Sequence, residues 1–174
     1  ALDRFSLIKN RSDPKIKNRI GALKQTDPDV KEVLPNLWTF NPQTILESVG
    51  KIPLRFIFDL VNFLNNKRLA REIIQAMNYL EFNQPIIFVD NEFYRALYLK
   101  DLIPNELFIY YIRDYLVQQT YFKKHGARTE AQLMRKSDLV VANSVFLSEY
   151  AKKHNPYSFF VGQGCNLSLF NPDT

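Results

Sequence analysis

The sequence holds one cysteine, two histidines and five glycines in 174 residues, and each scarcity removes a class of protein. Cys165 has no partner within the chain, so an internal disulfide framework is excluded. With no secretory-type apolar run at the start, the chain reads as intracellular, and cytoplasm is the expected compartment. His125 and His154 stand far apart with no cysteine or carboxylate at ligand spacing, which leaves a bound metal without support. No nucleophilic triad is visible either. Long apolar runs are also lacking. The stretches 56–64 and 107–112 fall far short of the about 20 residues that span a bilayer, and Asp59 interrupts the first. Gly162 and Gly164 flank Gln163 after an apolar run, but no third glycine completes a dinucleotide fingerprint and no clear helix follows. A chain that turns sharply is the simpler reading.

Apolar residues make up 46% of the chain and aromatics 14%, enough to bury the core of one domain. The formal charge is +5, and part of the excess lies in residues 1–31, where eight Lys/Arg face four Asp. Residues 1–30 are polar and basic, with little apolar periodicity beyond RFSLI at 4–8, and read as a surface segment that weakly favours anionic neighbours.

From residue 34 onward the pattern becomes informative. LPNLWTF at 34–40 lies between Pro35 and Pro42 and suggests a strand or extended connection, with a turn at Asn41-Pro42. Phe56, Leu60 and Leu64, then Leu69, Ile73, Met77 and Leu80, recur at helical spacing, which predicts core-facing helix with a break at Asn65-Asn66. Pro85 to Asp90 is a short apolar run, read as a strand buried on both faces. The cycle then repeats: helix over 92–100, strand over 107–112, helix over 129–136, strand over 139–142, a helix after Ser144 with spacing-four pairs Phe146–Tyr150 and Leu147–Ala151, and a last strand over 158–161. Unbroken apolar strands alternating with helices predict a doubly wound, mainly parallel α/β sheet of Rossmann-like type, covered by helices on both sides.

In such sheets ligands bind beyond the carboxyl ends of the strands. Four ends follow from the sequence: Asp90-Asn91-Glu92, Arg113-Asp114, Asn143-Ser144 and Gln163-Gly164. Ser144 reads first as a helix cap, and Asp90-Asn91-Glu92 as a turn. Asn143 is harder to dismiss, because a cap needs one side chain. Arg113 with Asp114 is either an acid and its partner in a polyol site or a solvated pair. The candidate cleft-lining residues are therefore Asn91, Arg113, Asp114, Asn143, Ser144, Gln163 and Gly164, with no catalytic group assigned. The aromatics Phe93, Tyr94, Tyr98, Tyr110, Tyr111 and Tyr115 fall at core spacing, and no nucleic-acid-binding motif accompanies them.

From Asn36 to Pro172 the chain resembles the N-terminal half of family-4-like glycosyltransferases with the two-lobed GT-B fold. NLWTFNP resembles a recurring strand motif of that family. LFIYYIRDY resembles the strand ending in Tyr-Asp-x-x-Asp, with Tyr110 and Asp114 matching and Tyr111 in place of the first acid. Glu130, eight residues before Asp138, matches a helical glutamate, SDLVVANSVFLSEY matches the following segment with Ser144 at the family's serine, and VGQGCNLSLFNP matches at Gly164, Phe170 and Pro172. Gln163 and Asn166 replace the usual Asn and Asp.

The resemblance implies the acceptor-binding lobe of a sugar transferase, one domain of a two-domain enzyme, with residues 162–174 beginning the interdomain connection. The donor would be a nucleotide sugar held mainly by a C-terminal lobe, no cofactor would be bound by this domain, and the acceptor would be a sugar or lipid-linked glycan in glycan or polysaccharide biosynthesis. The basic N-terminal segment and amphipathic LRFIFDLVNFL raise peripheral contact with an anionic membrane at its inner face, although the same spacing fits a core helix. The alternative from another class is a non-enzymatic Rossmann-like module that binds a ligand or protein.

Overall fold

The computed structural model describes residues 28–164. The basic stretch 1–27, Cys165 and the motif positions Asn166, Phe170 and Pro172 lie outside the described residues.

A four-stranded parallel sheet organises the chain. Strands β3 (Ile86–Asp90), β4 (Leu107–Ile112), β5 (Leu139–Ala142) and β6 (Ser158–Phe160) lie side by side in that order, every neighbouring pair parallel. Between them run the short helices α2 (Phe93–Ala96) and α3 (Leu99–Leu102), then α4 (Gly126–Lys136) and α5 (Val145–Lys152). Helix α1 (Arg55–Tyr79) precedes the sheet and packs on α2 and α3. Ahead of it, β1 (Val30–Leu34) and β2 (Leu37–Phe40) pair as an antiparallel hairpin, turning at Asn36 with φ 62°. The strand expected within 34–40 is present as β2, and its antiparallel partner β1 was not expected.

The fold is α/β with a parallel sheet, but the doubly wound expectation fails among the described residues. Each crossover steps one strand in the same direction, and parallel crossovers are right-handed, so the connecting helices fall on one face. Burial follows. Phe108, Tyr110, Ile112 and Val140 are wholly buried beneath the helices, whereas Ile86, Phe88 and Phe159 on the other face are 60%, 56% and 52% exposed. The apolar run at 86–90 is thus an edge strand with one open face, not a strand buried on both.

Helix α1 corrects two further expectations. It passes unbroken through Asn65-Asn66, both of them buried. Moreover, the Phe56, Leu60 and Leu64 row faces outward, at 69%, 59% and 42% exposure, while Phe58, Leu69 and Met77 enter the core. Asn66 explains the continuity: its Nδ2 donates to Asn62 O (2.8 Å) and Tyr94 O (2.9 Å), and its Oδ1 accepts from Tyr98 N (3.1 Å). A buried amide with every group paired stabilises the helix it was expected to end. The single helix expected over 92–100 is instead split, with Glu92 capping α2 by accepting from Arg95 N.

Candidate functional site at the carboxyl edge of the sheet

Because the strands share one direction, their polar ends gather at one edge. Asn91 follows β3 with φ 56°, a left-handed conformation that asparagine tolerates better than most residues. Its backbone N–H donates to Tyr111 O (2.8 Å), its Oδ1 accepts from Arg113 N (3.2 Å), and its Nδ2 donates to Asp114 Oδ2 (3.5 Å). Asn91 is buried and joins the β3 end to the β4 end. Arg113 then lies between two carboxylates, 3.1 Å from Asp90 and 3.6 Å from Asp114. These three side chains are about half exposed, so the arrangement presents charge to solvent and contributes little stability.

The second half of the edge belongs to β5 and β6. Asn143 Nδ2 donates to Gln163 Oε1 (3.1 Å), and Ser144 Oγ accepts from Leu147 N (3.3 Å) as the cap of α5. Gly162 takes φ 73°, the sharp turn that brings Gln163 back towards Asn143. Gly164 is exposed, with no atom within 4 Å of where a Cβ would sit. The candidate residues therefore form two groups on one edge, Asn91 with Arg113 and Asp114, and Asn143 with Ser144 and Gln163. Among the described residues no hydrogen bond joins the groups.

Behind the edge, Glu130 is fully buried and accepts from Tyr110 OH (2.9 Å) and Tyr150 OH (3.0 Å). Its two partners are thus tyrosine hydroxyls, one from β4 and one from α5. Burial raises its carboxyl above the ordinary 4.5, and the two donors oppose that rise. Both tyrosines are pushed up, by burial first and then by the neighbouring carboxylate. Among the described residues no three His, Cys, Asp or Glu side chains are grouped to hold a metal ion. His125 instead stacks on Phe58 at 4.1 Å and holds Ile52 O at 2.9 Å.

A cavity of about 270 Å³ opens beside the β3 end, and sequence reasoning missed it. The segment 46–49, Asn62 and Asn65 of α1, residues Glu92, Tyr94 and Arg95 at α2, and Tyr121 with Phe122 line it. The 43–49 segment is tied along one face of α1, since Gln43 N donates to Glu72 (2.6 Å), Arg68 reaches Ile45 O (3.5 Å) and Asn65 holds Glu47. Gly50 lets Tyr121 approach: a Cβ there would lie 2.4 Å from Tyr121 O. One signal in the sequence pointed here. Asn62, Asn65 and Asn66 are three amides within five positions of an otherwise amphipathic stretch.

No protein-family model matches this chain, and no curated protein or solved structure matches it.

Proposed function

We propose that this chain is the acceptor-side lobe of a GT-B-type sugar transferase. In this reading the acceptor glycan lies across the carboxyl edge of the sheet, where exposed Asp114 and half-buried Asn143 offer an acceptor and an amide to its hydroxyls. Transfer would break the bond between the sugar's anomeric carbon and the donor's diphosphate and form one to an acceptor oxygen. The acceptor's proton leaves as that bond forms, and the nucleoside diphosphate departs. The lobe's part is orientation, which turns an encounter of two molecules into an effectively unimolecular step; charge on the departing diphosphate would be stabilised by the donor-binding lobe. The observation that carries the reading is the common direction of β3 to β6, which brings Arg113, Asp114, Asn143 and Gln163 to one edge.

The test is glycosyl transfer by the full-length gene product with a panel of nucleotide sugars. Asp114→Asn combined with Asn143→Ala should lower transfer about tenfold or more, as lost hydroxyl contacts do, with the melting temperature unchanged. Full transfer by the double variant, or none by the parent with any donor, sinks the reading.

One observation favours the non-enzymatic alternative. The edge groups already satisfy one another, Arg113 with Asp90 and Asp114, and Asn143 with Gln163. A parent protein that binds a ligand at this edge yet transfers nothing would select that alternative.

The outward row on α1 bears on where the acceptor lies. No helix among the described residues is long and apolar enough to cross a membrane. Exposed Phe56, Leu60, Phe63 and Leu64 nevertheless share a helix face with exposed Lys67 and Arg71. An apolar stripe rimmed by cations suits shallow insertion into an anionic lipid surface, where a lipid-linked acceptor would be presented.

A further inference from the structure

A pair of aromatic rings spans the gap between the two polar groups of the carboxyl edge. Tyr115 directly follows Asp114, Phe146 lies three residues after Asn143, and their ring centroids are 5.7 Å apart at 82°. Tyr115 also meets the Tyr150 ring at 5.2 Å and 86°. The Tyr150 hydroxyl donates in turn to buried Glu130 (3.0 Å), which Tyr110 also holds (2.9 Å). Contacts therefore run from the edge inward to a carboxylate fixed by two hydroxyls, and Phe146 is the outer end of that chain.

Phe146 is 65% exposed, and its neighbour Val145 61%. Single apolar side chains on a surface are ordinary, but Phe146 is distinguished by its support and by its place. Its partner Tyr115 is itself packed against the core and against Tyr150, so the contact is set before any ligand arrives. An aromatic ring has few torsions to freeze, and a held ring adds little ordering cost on binding. Most of its surface is open to solvent between Asp114 on the β4 side and Asn143 on the β5 side.

The chemistry of such a place is specific. An aromatic face carries partial negative charge, whereas the axial C–H hydrogens on a face of a pyranose carry partial positive charge. Stacking brings the two together and removes apolar surface from water. The hydroxyls of the sugar then project around its rim, where the Asp114 carboxylate accepts hydrogen bonds and the Asn143 amide offers both donor and acceptor. A nucleobase also stacks, but it gathers its polar atoms on fewer sides than a ring with hydroxyls all around.

We infer that Phe146 is the stacking platform for one pyranose ring of the acceptor, with hydroxyls of that ring directed to Asp114 and Asn143. The inference rests on the acceptor-lobe reading and narrows it: the ring that stacks keeps one face free of axial hydroxyls, as glucose-type and N-acetylglucosamine-type rings do.

The experiment is saturation-transfer NMR on the chain with maltose, cellobiose and diacetylchitobiose. Sorbitol, which has hydroxyls but no ring, and uridine serve as comparators. At least one disaccharide should bind saturably, with transfer strongest at ring C–H protons, and sorbitol should show none. Phe146→Ala should weaken that binding by about three- to tenfold, the worth of one aromatic contact, and Phe146→Trp should retain it. Both variants should keep the parent melting temperature, because the side chain is mostly exposed. Unaltered affinity in Phe146→Ala overturns the inference, as does sorbitol or uridine binding as tightly as the disaccharides, or no saturable binding of any disaccharide. The transferase reading is judged apart from this. Sugar binding that depends on Phe146, in a full-length protein that transfers nothing, sinks that reading and leaves the platform standing.

Discussion

The side-chain amide of Asn65 pairs with both backbone polar groups of Glu47: Oδ1 accepts from Glu47 N at 2.9 Å and Nδ2 donates to Glu47 O at 2.8 Å. That two-point contact fixes the 43–49 segment on α1 and so sets one wall of the cavity. Asn65→Leu should lower stability by about 1–3 kcal/mol, the usual loss when partly buried partners go unpaired. Urea unfolding gives the magnitude, and hydrogen exchange at the Glu47 amide should accelerate. An unchanged exchange rate there would mean that the contact does not hold the segment.

Gly50 faces Tyr121 at a distance no side chain can share. A Cβ would meet Tyr121 O at 2.4 Å and the ring at 2.6 Å, and the first of these is backbone that cannot swing aside. Gly50→Ala is expected to cost about 1–3 kcal/mol through overpacking. The same change should shift the Tyr121 and Phe122 resonances, since both line the cavity. Retention of the parent melting temperature would contradict this packing.

Glu130 gives a pH dependence with a defined sign. Its folded carboxyl holds a proton more tightly than the ordinary 4.5 because burial disfavours the charge. Between that value and the raised folded one, the folded state binds more protons than the unfolded, so its contribution to stability falls as pH rises. Glu130→Gln cannot titrate. The stability of the parent relative to Glu130→Gln should therefore be greatest near pH 4 and diminish toward pH 7. Denaturant midpoints for both proteins across that range decide it, and a constant difference would contradict a raised carboxyl.

The α1 stripe predicts lipid composition dependence. The protein should co-sediment with vesicles containing anionic lipid at low salt and be released as salt rises, because screening weakens surface attraction. Phe56→Ser with Leu60→Ser should abolish sedimentation without lowering stability, since both side chains are mostly exposed. Equal binding to uncharged vesicles, or none to anionic ones, would remove the membrane role.

The strand and helix sequence of the second half was legible because its signals are local. Leu139–Ala142 and the Ser144 cap of α5 are stated by residues within a few positions of one another. The break expected at Asn65-Asn66 was misread for the opposite reason. Phe58, Asn62, Asn65, Leu69 and Ala76 follow an uninterrupted helical period once asparagine is allowed to be buried, but the partners that allow it are 18 and 28 residues away. Phe56, Leu60 and Leu64 also have helical spacing, and spacing alone does not choose between two apolar faces of one helix.

The sequence by itself determined the order of the elements, the common direction of the strands and thus the meeting of Arg113, Asp114, Asn143 and Gln163 at one edge. Periodicity and the length of connections decide these, and both are properties of neighbouring residues. Only the tertiary structure decided which sheet face stays open, which α1 face enters the core, and that the 46–49 segment, α1 and Tyr121 enclose a cavity. Burial and hydrogen-bond satisfaction depend on what packs opposite, and that is written in residues far along the chain.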